Sequence, residues 1–174
     1  MRQIRVVVPH RDGHIGSLAA RVAELQKGGK RILFVTADRP YRTVEAALAA
    51  ADVDVSLVHF LDCVSSIGGP VPRNGATNAT FVASPTMLEM MAMRVEQLAA
   101  RIGPDTHVVL DSLSTLALYN GAGPVHEFSH YLANRLRTRG LPGDFVVTDN
   151  AEGIHLSAAV ASFTDSHLIL EARP

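Results

Sequence analysis

Three groups of residues have the types and spacing that chemistry needs. The first is His10-Arg11-Asp12-Gly13-His14-Ile15-Gly16-Ser17, which follows an apolar run and leads into an amphipathic segment. A phosphate-binding loop uses glycines that let backbone N–H groups face the phosphates, a Lys for the terminal oxygens and a Ser or Thr for magnesium. Gly13, Gly16 and Ser17 supply part of that set, but no Lys stands in the loop; Lys27 and Lys30 come only after the next helix. Arg11 is the remaining cation, so tight triphosphate binding in the usual geometry is not expected. The second group is Thr106-His107-Val108-Val109-Leu110-Asp111-Ser112, an apolar run ending in a carboxylate. Such an Asp can hold the hydration shell of magnesium, although an Asp closing a buried strand is also an ordinary feature. The third is His126-Glu127-Phe128-Ser129-His130, a match to H-E-x-x-H, which on a helix binds zinc through both His with the Glu as base.

The helical wheel argues against zinc. Turning about 100° per residue, Val125, Phe128, Leu132 and Leu136 make one apolar face, and His126 and His130 project from the other beside Arg137. A solvated face holding a cation is a poor metal site, so a zinc hydrolase ranks last among the readings. His10 and His14 share a loop with Asp12 and make a second, weaker metal candidate. No G-x-S-x-G elbow supports Ser-His-Asp catalysis.

The elements that must position these groups alternate in type. Ile4–Val8, Arg31–Thr36, Val55–Leu61, Thr106–Leu110, Asp144–Thr148 and His167–Leu170 read as strands. Ser17–Leu25, Arg42–Ala51, Thr86–Ile102 and Val125–Arg139 read as helices, with a short helical stretch at Ser157–Ser162. Near-continuous apolar strands imply a parallel sheet covered on both faces. The fold expected is therefore α/β, a three-layer α/β/α arrangement with a mostly parallel sheet. Ligands in such sheets bind beyond the carboxyl ends of the strands. That places the first loop, Asp38-Arg39, Asp111-Ser112 and Asp149-Asn150 along one edge. Residues 65–83, rich in Gly, Pro, Asn and Thr, read as an irregular insertion. Met87, Met90, Met91 and Met93, at helical spacing, read as core filler.

At 174 residues, 47% hydrophobic and 19% charged, the chain suits one domain over 1–174 with a sizeable core. A net charge of −1 leaves no broad basic field for nucleic acid. Its apolar runs fall far short of the roughly 20 residues that cross a bilayer. A lone Cys63 cannot form an internal disulfide, and no signal-peptide pattern opens the sequence. Together these features lead to the expectation of a cytoplasmic protein without membrane or nucleic-acid partners.

Several stretches resemble one family. Ile32-Leu33-Phe34-Val35-Thr36-Ala37-Asp38-Arg39-Pro40, Val108-Val109-Leu110-Asp111-Ser112-Leu113-Ser114-Thr115-Leu116 and the two closing strands are similar to the KaiC-like branch of the RecA-superfamily ATPases, including shortened relatives without the P-loop. The resemblance implies a RecA/P-loop-NTPase-like fold and a nucleotide cleft at Gly13, Gly16, Ser17, Asp38, Asp111 and Ser112. It implies ATP or ADP with magnesium as ligand, and self-association or an active relative as partner. The departures are as informative. The Walker A Lys is missing, and the family's catalytic glutamate pair falls on Asp38 and Arg39, where an Arg cannot polarise an attacking water. The expectation is a degenerate, non-catalytic regulatory or scaffold domain with weak nucleotide binding at most. The alternative is a nucleotide-dependent ATPase or signalling protein with a non-standard phosphate loop, using Arg11 and Asp38.

Overall fold

The structure is a computed structural model that describes residues 3–70 and 78–171. Within them, seven strands form one sheet: β1 (Ile4–Val8), β2 (Arg31–Thr36), β3 (Val58–Asp62), β4 (Ala79–Phe81), β5 (Thr106–Asp111), β6 (Gly143–Val146) and β7 (Ser166–Ile169). Their order is β4-β3-β2-β5-β6-β1-β7, and every pairing is parallel. Six helices accompany them: α1 (His14–Lys27), α2 (Tyr41–Ala50), α3 (Leu88–Ile102), α4 (Leu113–Asn120), α5 (Ala122–Thr138) and α6 (Ala151–Val160).

Burial explains the architecture. All six residues of β5 and five of the six in β2 are buried, as strands covered on both faces must be. Alternate side chains feed two cores. Val7, Phe34, Phe60, Val109 and Val146 pack with Leu18, Val22 and Leu48 of α1 and α2. On the opposite face Val6, Leu33, Val108, Leu110 and Phe145 pack with Met91, Val95, Leu116, Phe128 and Leu132 of α3, α4 and α5. The expected three-layer α/β fold is therefore present, with a sheet that is wholly parallel. No helix among the described residues is long and apolar enough to cross a membrane.

Several boundaries differ from the sequence reading. Helix α1 begins at His14 rather than Ser17, because a 3-10 turn over Arg11–Gly13 completes the reversal early. Gly16 and Ser17 are therefore helical residues and not part of a loop. Val55–Leu57 forms a 3-10 turn, and the third strand starts only at Val58. The insertion contains β4, which pairs with β3 at the sheet edge; residues 71–77 of it lie outside those described. Helix α3 starts two residues late, at Leu88. Helix α4 has no counterpart among the elements expected from the sequence. Five of its eight residues are apolar or aromatic, but Ser114, Thr115 and Asn120 are interspersed so that no helical stripe shows, although the Ser112 hydroxyl caps it by accepting from the Thr115 N–H. Helix α6 is longer than expected: Asn150 caps it, and Gly153 packs where any side chain would strike the Thr148 carbonyl. Of the methionines, Met91 is core and Met90 packs against it, whereas Met87 and Met93 are 39% and 43% exposed.

Candidate functional site

The site is defined by topology before side chains. From β2 the chain moves outward to β3, whereas from β5 it moves the other way to β6, so its direction reverses between these adjacent strands. The crevice beyond the carboxyl ends at such a reversal is where parallel α/β sheets bind ligands. β2 delivers Asp38 and Arg39 to it, and β5 delivers Asp111 and Ser112. The β1–α1 connection arrives from the far side of β6.

The residues picked out in the sequence divide into two linked groups. The Asp111 carboxylate is wholly buried, and its Oδ1 lies 2.7 Å from Nε2 of His14, the first residue of α1. Its Oδ2 is also buried and has no hydrogen-bond partner. The Asp111–Ser112 peptide is cis. The second group is a chain of contacts on the other side. Ser112 Oγ sits 2.9 Å from Thr115 Oγ1, which donates to Asp38 Oδ1 at 3.4 Å. Asp38 Oδ2 pairs with the Arg39 guanidinium at 3.1 Å. The Arg39 backbone is fixed by Thr36, whose hydroxyl donates to its carbonyl and accepts from its N–H.

The remaining three positions are occupied differently. The Gly13 N–H donates to the His10 carbonyl at 3.2 Å, closing the 3-10 turn. Gly16 lies in the first turn of α1, where an added Cβ would meet nothing within 4 Å. Ser17, 6% exposed, places Oγ 3.5 Å from the Glu171 carbonyl beyond β7. Neither glycine has a positive φ or a close approach that demands glycine.

Beneath α1 lies an ionic cluster that the sequence did not suggest. Arg21 Nε donates to Asp144 Oδ2 at 2.8 Å, and His107 Nε2 lies 3.0 Å from Asp144 Oδ1. All three residues are at least nine-tenths buried. Burial opposes a charge on Asp144, but His107 and Arg21 outweigh it and hold the carboxyl below its usual range. Burial likewise opposes the Arg21 charge, and Asp144 and Glu24 raise its pKa nonetheless. These partners are 123 and 37 residues apart along the chain, so no spacing rule finds them. Only the adjacency of β5 and β6 under α1 brings them together. His14 was visible in the loop, but nothing in the sequence paired it with Asp111, 97 residues away.

The H-E-x-x-H residues fall elsewhere. His126 and His130 both pack against the Phe163 ring, with centroids 5.5 and 5.0 Å apart. Among the described residues no cluster of three or more His, Cys, Asp or Glu could hold a metal.

The sheet order and its flanking helices make a RecA-type α/β fold, the fold of a KaiC-like protein of known structure. The KaiC-like protein PH0186 from the hyperthermophilic archaeon Pyrococcus horikoshii OT3 is similar with a TM-score of 0.66, over 96% of this chain and 70% of that one. At 12% identity the likeness speaks for the fold alone. The chain belongs to the family of unknown function DUF7504, whose model matches residues 4–168. Comparison with curated proteins gives no match.

Proposed function

We propose that this chain is a non-hydrolytic RecA/KaiC-like domain, acting as a regulatory or scaffold module through contacts with other proteins. The observation that carries the reading is the His14–Asp111 contact. The carboxylate that would serve magnesium is instead sealed against the protein's own imidazole, at the place where a phosphate loop would open. The residues present do not fit a magnesium nucleotide. The first loop lacks a Lys, the Gly13 N–H is spent on His10, and Ser17 faces a backbone carbonyl. At the position of a catalytic base stands Arg39, which carries no lone pair for the task and neutralises Asp38 beside it. Partners in keeping with this reading are a further copy of the chain or an active relative of the same fold.

One observation favours the second reading, a nucleotide-dependent protein with an unusual cleft. The buried Asp111 Oδ2 lacks a partner, and an unsatisfied buried oxygen of this kind calls for a water or a cation. Isothermal titration of ATP and ADP with magnesium separates the two, on the wild-type chain and on Asp111→Ala. The expected result is no heat at millimolar nucleotide. Micromolar binding that disappears in Asp111→Ala would overturn the scaffold reading and put the second in its place.

A further inference from the structure

A groove of about 1230 Å³ lies away from the switch point, between α3 and α5 on the outer surface of the helix layer. It exceeds the roughly 300–1,000 Å³ usual for small-molecule pockets. Met87, Met90 and Met93 contribute from α3 and the residue before it, and Phe128 and Tyr131 from α5. Met93 and Tyr131 are 43% and 50% exposed, a large apolar outlay that no partner among the described residues covers. Flexible thioether side chains can repack around varied apolar anchors.

Charge decides what fits. Glu96 also lines the groove, but it is more than neutralised: Arg135 and Arg139, itself a lining residue, lie 2.7 and 3.2 Å from its Oε2, and Tyr131 donates to its Oε1, so one surplus positive charge remains there. The exposed Glu89 and Glu127 also line it, and neither has an ion-pair partner among the described residues. One stands on α3 and the other on α5, so the apolar trough carries a carboxylate without a direct ion pair on each wall, and with Glu96, Arg135 and Arg139 the groove is net negative by one charge.

We propose that this groove receives a basic amphipathic helix from a partner protein. Apolar residues at helical spacing enter between the methionines, and Lys or Arg on the flanks of that helix meet Glu89 and Glu127. Helix α3, 15 residues and about 22 Å long, offers a track of about four turns. The inference rests on reading the chain as a partner-binding module and names the surface and the chemistry it selects.

The probe is a fluorescein-labelled 18-residue helical peptide with Leu on one face and Lys along both flanks, titrated with the full chain by anisotropy. A second peptide carries Glu in place of each Lys. The groove variant is Glu89→Lys with Glu127→Lys; the control is Asp105→Lys with Glu152→Lys, which changes net charge equally outside the groove. The Lys peptide is expected to bind with micromolar Kd and the Glu peptide not to bind. The groove variant should weaken binding at least tenfold and the control less than twofold. Equal losses in the two variants, equal affinity for the two peptides, or no binding of the Lys peptide would overturn the proposal. So would a dimer, seen by light scattering, that Met93→Asp disperses, because the occupant would then be a second copy. Nucleotide titration reports on the switch-point cleft and this experiment on the groove, so the two readings fail separately.

Discussion

Glycines distinguish a working phosphate loop from a retained turn, because a cradle needs the bare backbone that any Cβ would block. Gly16 and Gly153 both sit inside helices, yet their surroundings are opposite. Around Gly16 there is open space, whereas a Cβ on Gly153 would stand 1.8 Å from the Thr148 carbonyl oxygen. Gly16→Ala is therefore expected to stabilise the chain by about 0.5–1 kcal/mol, the ordinary helix preference for Ala. Gly153→Ala should cost about 1–3 kcal/mol or more, as overpacking does. Urea unfolding of the two variants checks both, and a destabilising Gly16→Ala would return that glycine to a functional role. The Asp111 carboxylate is held by a protein group, the His14 imidazole.

Helix α1 is the element held by the most distant side-chain contacts of the candidate site. In a nucleotide-binding protein its N-terminus would be fixed partly by phosphate. Here it is tied to the sheet by His14 on Asp111, by Arg21 on Asp144 and by Ser17 beside Glu171. These are contacts to β5, to β6 and to the segment beyond β7, so they hold the helix at three points along the sheet edge. On the other side of the molecule, His59 of β3 lies between Thr80 of β4 and Arg101 of α3. Burial, and then the Arg101 charge, lower its pKa from 6.5 to about 4. Between those values the unfolded chain binds the proton and the folded one does not, so stability falls as pH drops through this window. The urea midpoint should be lower at pH 5 than at pH 7.5, and His59→Gln should shrink the difference. An unchanged difference in that variant would remove His59 as a cause.

For the whole molecule, the functional question becomes one of linkage. A ligand at one hundred times its Kd adds about 2.7 kcal/mol to folding stability, which for a chain of this size raises the melting temperature by about 5–10 °C. With 5 mM MgATP the expected shift is under about 1 °C in differential scanning fluorimetry. A rise of several degrees that Asp111→Ala abolishes would contradict the scaffold reading. The two concave regions are also separate at this scale. The switch-point residues lie at the strand ends, and the methionine groove lies on the outer face of α3 and α5.

What the sequence determined by itself was whatever depends on short-range pattern. Continuous apolar runs such as Ile32–Val35 and Val108–Leu110 specify buried parallel strands, and the repeated alternation of strand and helix specifies a layered α/β chain. That His10–Ser17 contains no Lys and that Asp38 is followed by Arg39 were equally plain, since they concern residue type alone. Short elements without a segregated apolar face were not legible: in α4 Ser114, Thr115 and Asn120 are scattered among the apolar residues, and β4 is only three residues long. Tertiary structure alone decided that His14 closes on Asp111, that Arg21, His107 and Asp144 form one buried cluster, and that Met87 and Met93 face outward. Each depends on which strands and helices become neighbours. That is settled by strand order and by the packing of whole faces, which no local spacing of residues encodes.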